Sequence, residues 1–305
     1  MNLPAYLRIM PEIGVCLDER APVVALETTV VTHGLPYPDN IQLAGEMEAT
    51  VRKFKATPAT IGFLDGMLHV GMSQDELERL ATSTHSRKIS KRDFAPAAVG
   101  SWDGGTTVSG TLAAASMTGI AVFATGGIGG VHHGGMDISA DLPDLARHRV
   151  IVVCAGAKAI LDIPATVEFL ETWGIPVIGY KTSEFPAFYS TRSGIDLTVV
   201  AESPQAVAEM AYFHWSSGFS SALLTVVPPP QEDALPASEV SKMIDRALLE
   251  AKDHHITGQA VTPFLLSRVS ELTGGESKKT NLALLKNNAR VAAEISEAFS
   301  QITQK

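Results

Sequence analysis

The sequence predicts an α/β fold in which helices cover both faces of a parallel or mixed sheet. Three observations predict it. Short apolar runs alternate with helical patterns along most of the 305 residues. Glycines, prolines and capping residues separate the two kinds of segment. Polar clusters follow four of the apolar runs directly, where ligands gather in open α/β sheets.

The elements follow in order. Val23–Leu26 reads as a strand. Asp39 or Asn40 can cap a helix whose apolar face is Ile41, Ala44, Met47, Val51 and Phe54, at spacings of three and four. Thr60–Leu64 is a second strand. Ser73 and Glu76 form a capping-box pattern ahead of a short helix. A small-residue helix runs from Thr107 to Met117, closed by Gly119. Ile120–Ala124 and Val150–Ala155 are strands. Pro164 suits the first turn of a helix that ends at Gly174. Val177–Tyr180 and Ala222–Val227 are strands on either side of a helical stretch from Ser203 to Ser217. From about Glu239 the chain reads as mostly helical. The proline-rich stretch Pro228–Pro236 is a long connection, and residues 1–305 are expected to form one domain.

Composition narrows the function. A hydrophobic content of 45% is ample for a sizeable core, and a formal charge of −9 argues against binding nucleic acid through its phosphates. Cys16 and Cys154 are the only cysteines, which leaves no disulfide framework or zinc spacing and suits a reducing compartment. No signal-peptide pattern opens the chain, and no stretch approaches the ~18 apolar residues of a membrane span. A cytoplasmic protein is expected.

Chemistry can sit in the clusters after the strands. Glu27 ends the first apolar run. It is either a general acid or a carboxylate that caps a turn or pairs with a base. In Arg87–Asp93, four of seven residues are basic, which suits a phosphate or a solvated loop. Asp103–Thr111 offers glycine amides and hydroxyls ahead of a helix, as a generic anion cradle or a capped, closely packed helix. It lacks the Gly-Lys-Ser/Thr of a Walker loop. The run Thr125–Asp141 opens with four glycines, Gly126, Gly127, Gly129 and Gly130, but not at a dinucleotide-binding spacing. It also holds His132, His133, Asp137, Ser139 and Asp141, and Asp137 can bind a hard divalent cation or serve structure alone. Lys158 ends the run that begins at Val150. Partial removal from water there favours a nucleophilic amine, and small neighbours leave room for a substrate. The plainer reading is an exposed lysine.

Together these clusters resemble the pseudouridine-5′-phosphate glycosidase family, also described as indigoidine-synthase-A-like. The stretches that carry the resemblance include Ala25-Leu-Glu-Thr-Thr29, His33-Gly-Leu-Pro-Tyr-Pro38, Gly105-Thr-Thr-Val108, Ala124-Thr-Gly-Gly-Ile-Gly-Gly-Val-His132, Asp137-Ile-Ser-Ala-Asp-Leu142 and Cys154-Ala-Gly-Ala-Lys-Ala-Ile-Leu-Asp162. Phe185-Pro-Ala-Phe188, Thr262-Pro-Phe-Leu-Leu266 and Leu272-Thr-Gly-Gly275 followed by Asn281 complete the set, from about Pro11 to Ser300. The resemblance implies a three-layer α/β/α fold with a mixed, largely parallel sheet, and a homotrimer. It implies reversible cleavage of the C–C glycosidic bond of pseudouridine 5′-phosphate to uracil and ribose 5-phosphate, with a divalent metal, manganese. Carried over, Glu27 is the proton donor and Lys158 the nucleophile. Asp137 holds the metal. Lys88 binds the phosphate end, and Val108, Ser139, Ala140 and Asp141 line the substrate, with His132 and Asn281 as further contacts. His133 stands where the family carries arginine, and the segment from His133 to Asp137 is shorter than in the family. Two other classes remain open from the residues: a Schiff-base aldolase or lyase on another phosphosugar, and a non-catalytic phosphosugar-binding protein.

Overall fold

The computed structural model describes residues 3–134, 137–256 and 258–304. Among the described residues there are eleven strands: β1 (Leu7–Ile9), β2 (Val23–Leu26), β3 (Thr57–Leu64), β4 (Met67–Val70), β5 (Arg87–Ile89), β6 (Gly104–Thr106), β7 (Val122–Ala124), β8 (Ile151–Cys154), β9 (Val177–Tyr180), β10 (Val200–Ala201) and β11 (Leu223–Val226). The helices are α1 (Pro11–Asp18), α2 (Asp39–Lys53), α3 (Gln74–Thr82), α4 (Phe94–Gly100), α5 (Val108–Thr118), α6 (Asp141–Leu145), α7 (Ile163–Thr172), α8 (Pro204–Ser216), α9 (Ala237–Asp253), α10 (Val261–Leu272) and α11 (Glu276–Thr303).

The strands join in the order β1-β4-β3-β2-β7-β8-β11-β9-β10, with β6 pairing to β3 and β5. Only β3–β4 and β3–β6 pair antiparallel, so the sheet is mixed and largely parallel as the sequence predicts. The inner strands β2, β8 and β11 are buried along their whole length, which is why they read as unbroken apolar runs. The long helix α11 packs on β2, β7 and β8 together with α2 and α8, while α5 lies against β2, β3 and β7 with α6 beside it. Buried residues of α9, α10 and α11 belong to the same apolar core as the sheet.

Several expected features shift. Neither Asp39 nor Asn40 caps α2. Asn40 is buried and its amide donates to the carbonyls of Val31 (2.7 Å) and Ala81 (3.0 Å), so its side chain ties loops together. The basic cluster contains β5, and the glycine cradle contains β6. These short strands have no apolar periodicity of their own and form because each supplies the other's ladder partners. The strand expected from Thr60 begins at Thr57 through pairing with β2. The Ser73–Glu76 capping box is present, and Pro164 sits in the first turn of α7 behind an Asp162 cap. The Pro228–Pro236 connection packs back on the fold. Leu235 N–H donates to Tyr189 O (2.8 Å), and Thr280 Oγ1 donates to Asp233 O (2.5 Å). Among the described residues no helix is long and apolar enough to cross a membrane.

Candidate active site

Strand register brings the key residues together. Leu26 lies level with Ala124, and Ala124 with Val153, across three parallel neighbours. The next residues, Glu27, Thr125 and Cys154, therefore share one level at the carboxyl ends of β2, β7 and β8. After Cys154 the chain turns at Gly156, whose φ is +85°. A Cβ there would meet Pro186 O at 2.5 Å, so the turn requires glycine. The turn returns Lys158 toward β7, where its N–H donates to Ile128 O (3.1 Å).

Glu27 and Lys158 lie close enough for the lysine charge to act on the carboxyl. Burial pushes the Glu27 carboxyl above the ordinary range. The Lys158 ammonium opposes that shift, and so does a short hydrogen bond donated by Thr125 Oγ1, while Asp141 reinforces it. A carboxyl that holds its proton more readily, beside a lysine, can supply an acid and a nucleophile to one substrate atom pair.

Lys88 approaches from the middle of β5, level with Gly105 of β6. Burial, and secondarily the charge of Lys158, lower its ammonium to about 8. A π-helical turn over Val30–Gly34 follows Glu27 and is stitched to β6. Thr29 Oγ1 donates to Thr106 O (2.8 Å), and Thr106 N–H donates to Thr28 Oγ1 (3.0 Å). His33 sits on this turn, half-buried, with Nδ1 2.7 Å from Thr32 Oγ1. Burial lowers its imidazole, and the Lys88 charge adds to the effect.

The anion cradle read from Asp103–Thr111 is narrower than expected, because its amides are already engaged. Thr107 N–H donates to Ile89 O (3.0 Å), Ser109 N–H to Asp141 Oδ1 (2.9 Å) and Gly110 N–H to Thr107 Oγ1 (3.4 Å). Of the first three amides of α5, only that of Val108 is not taken by a protein oxygen among the described residues.

Asp141 is a clamp between loops. Its other oxygen accepts from Gly129 N–H (2.8 Å), so its carboxylate joins the glycine run to the start of α5. A Cβ on Gly129 would meet Ser139 Oγ at 2.2 Å, which fixes glycine there. Ser139 Oγ accepts from Asp141 N–H (3.2 Å) and Ala140 is the residue before α6. His132 is half-buried, and its N–H donates to Asp137 O (2.9 Å). Burial lowers its imidazole, with the Asp137 charge opposing. Asp137 is exposed. Among the described residues no group of three or more His, Cys, Asp or Glu side chains could hold a metal. A divalent ion here would have Asp137 as its protein carboxylate, with water and ligand oxygens filling the remaining positions, an arrangement hard cations accept. His133 is exposed in a turn, and Gly135 and Met136 of the shortened segment lie outside the described residues.

The structure thus groups Glu27, Lys158, Lys88, Asp141 and His132, with Asp137 next to His132. Asn281 lies half-buried near the start of α11, and no hydrogen bond joins it to this group among the described residues. Sequence reasoning missed the partner of Glu27. Thr125 follows β7 directly, so the same strand-end rule that singles out Glu27 could have found it. It also missed His33 beside Lys88, and Asn288 of α11, whose amide reaches Thr125.

A family model described as "Indigoidine synthase A like protein" matches residues 12–298. A pseudouridine-5′-phosphate glycosidase of Chloroflexus aurantiacus is 50% identical over 304 residues, covering 97% of this chain and 99% of that protein. The Escherichia coli protein of the same name is 45% identical, covering 98% and 97%. Among solved structures, the prealnumycin C-glycosynthase AlnA in complex with ribulose 5-phosphate superposes with a TM-score of 0.92 at 37% identity, over 99% of both chains. An indigoidine synthase A-like protein of Thermotoga maritima superposes with a TM-score of 0.90 at 34% identity, over 98% of this chain and 99% of that one. The match spans the strand ends, the glycine run and the helical C-terminal part alike, and on it the chain belongs to the indigoidine synthase A-like family.

Proposed function

We propose that the protein reversibly cleaves the C–C glycosidic bond of pseudouridine 5′-phosphate, giving uracil and ribose 5-phosphate. The observation that carries this reading is the meeting of Glu27, whose carboxyl is raised by burial, with Lys158 beyond the ends of β2 and β8, on either side of β7. The relatives' names and the phosphosugar bound to the AlnA neighbour point the same way.

A C-glycoside has no heteroatom leaving group at C1′ beyond the ring oxygen. Ring opening provides the route. Glu27 gives its proton to the ring oxygen while the Lys158 amine attacks C1′ and breaks that C–O bond. The nitrogen lone pair then expels uracil: the C1′–C5 electron pair leaves with the base, C5 takes a proton, and an imine remains at C1′. Water hydrolyses the imine and frees ribose 5-phosphate and the amine. Lys88 holds the phosphate end, with the Val108 N–H as a further donor. Ser139, Ala140 and Asp141 line the substrate through the loop that Asp141 clamps, and His132 and Asn281 are further contacts. Asp137 would hold the divalent ion, manganese, which would supply positive charge to the bound phosphosugar. Uracil release from pseudouridine 5′-phosphate tests the reading. Its absence from folded, manganese-loaded protein overturns it in favour of a Schiff-base lyase on another phosphosugar or a phosphosugar-binding protein.

Two results follow for binding. Lys88 must carry its proton to hold a phosphate, and in the free protein it loses that proton at about 8. Ribose 5-phosphate affinity therefore falls about tenfold per pH unit above that point. Calorimetric titrations at about pH 7 and about pH 9 check this, with the dependence removed in Lys88→Met. Asp137→Ala raises the manganese concentration for half-maximal rate by about 10- to 100-fold. A metal titration of the initial rate reads it.

A homotrimer is part of this proposal. Tyr212 and Phe213 of α8, Phe219 of the following loop and Trp173 are exposed, and Phe213 lines a cavity of about 670 Å³ against β9. Apolar surface of this kind suits subunit contact, and sedimentation equilibrium gives the subunit number. A cytoplasmic setting suits the two unpaired cysteines.

A further inference from the structure

We propose that Asn288 is a positioning residue for the acid of this reaction, holding Thr125 so that its hydroxyl meets Glu27; the inference rests on the reading of Glu27 as proton donor. Asn288 is fully buried on α11, in a stretch where Leu284, Leu285, Ala289, Val291 and Ala292 pack into the core. An amide in such surroundings is costly unless its polar atoms are used. Its Nδ2 donates to Thr125 O at 2.8 Å and reaches Gly126 O at 3.4 Å. Its Oδ1 has no partner among the described residues. Flipping the amide would set that oxygen against two carbonyls, so the donor's direction is fixed. A leucine of similar volume would hold α11 on the sheet without leaving a buried oxygen unpaired. What the amide adds is a donor aimed at Thr125.

Thr125 needs one. It is the first residue beyond β7 and leads into the buried pair Gly126-Gly127, which has no side chains to hold it in place. Its N–H is held by Val153 O at 3.0 Å. The bond from Asn288 fixes the other end of the residue, so the backbone is held where the hydroxyl can meet Glu27. The charged groups that face Glu27 are Lys158, from the loop after β8, and Asp141, from α6. Asn288 has no hydrogen bond with either among the described residues, so its influence on the acid passes through Thr125.

The test compares Asn288→Ala and Asn288→Leu, the second filling the space if the first is unstable, with Thr125→Val and the double variant. Turnover falls about 10- to 100-fold, part of the about 10²–10⁴ that a positioned acid supplies, while KM for pseudouridine 5′-phosphate stays within about twofold. The Thr125 hydroxyl favours the charged carboxylate, so its loss lets Glu27 keep its proton to higher pH. The basic limb of the kcat/KM profile then moves upward in both Asn288 variants, in the same direction as in Thr125→Val. Asn288→Ala combined with Thr125→Val costs no more than Thr125→Val alone. Variants that lose thermal stability but keep kcat and the limb at wild-type values, or a fully additive double variant, overturn the inference. Glu27→Gln separates the two failures. Wild-type turnover in Glu27→Gln sinks the acid assignment itself. An inactive Glu27→Gln beside Asn288 variants of wild-type kcat and pH profile sinks only the positioning role.

Discussion

Lys158→Ala loses turnover by at least about 10⁴-fold, the scale expected when a covalent nucleophile is removed. The reason is in the bond order of the reaction. Without an amine at C1′ there is no nitrogen lone pair to expel a carbon leaving group, and a protonated ring oxygen alone leaves the C1′–C5 bond intact. The fold should survive. Lys158 is held through its backbone, by Ile128 O on one side and by Leu161 N–H on the other, and its side chain is only partly buried. Borohydride with ribose 5-phosphate reads the same residue directly. The wild-type protein gains one phosphosugar adduct on the peptide containing Lys158, and the alanine variant gains none. An adduct that persists on another lysine would move the nucleophile elsewhere.

Glu27→Gln lowers kcat by about 10²–10⁴-fold while raising thermal stability near neutral pH. Both effects come from one cause. Burial raises the Glu27 carboxyl, so between its ordinary value and its raised value the native state binds more protons than the unfolded chain. Stability then falls as pH rises through that window, and the cost is complete above it. Glutamine carries no charge and removes the cost. The variant should therefore melt above the wild type at neutral pH and level with it in acid, as calorimetry across pH shows. Equal melting temperatures throughout would mean that Lys158 and Thr125 compensate the burial of the charge. Unaltered turnover would remove the acid from Glu27.

The strand-end rule picked out much of the candidate site because Glu27 and Lys158 follow β2 and β8, and apolar runs such as Val23–Leu26 and Ile151–Cys154 announce themselves. It could not show that Leu26, Ala124 and Val153 lie level, since register is set by pairing between distant segments. β5 and β6 were illegible for the same reason. Three polar or glycine-rich residues become a strand only when the other edge is present. The caps divide instructively. Ser73 with Glu76 acts as the local pattern says, because its helix start is near the surface. Asn40 does not, because it is buried between loops that make better use of its amide. Asp141 shows the limit for function. Its place in a site motif was readable, but the engagement of both its oxygens by backbone N–H groups was not. Asn288 was readable in principle, as an amide within an apolar helix face.

The bracing of early strands by the last helix bears on how the protein matures. Ser296 Oγ donates to Val23 O, Ser300 Oγ to Arg20 O, and Asn288 to Thr125 O, so α11 secures the segment that presents the acid. During synthesis β2 and β7 leave the ribosome long before α11. A nascent chain can pair these strands, but it cannot set Glu27 against a fixed hydroxyl until the final helix has emerged and docked. The setting of the acid therefore waits on the docking of α11, well after its strand has been made.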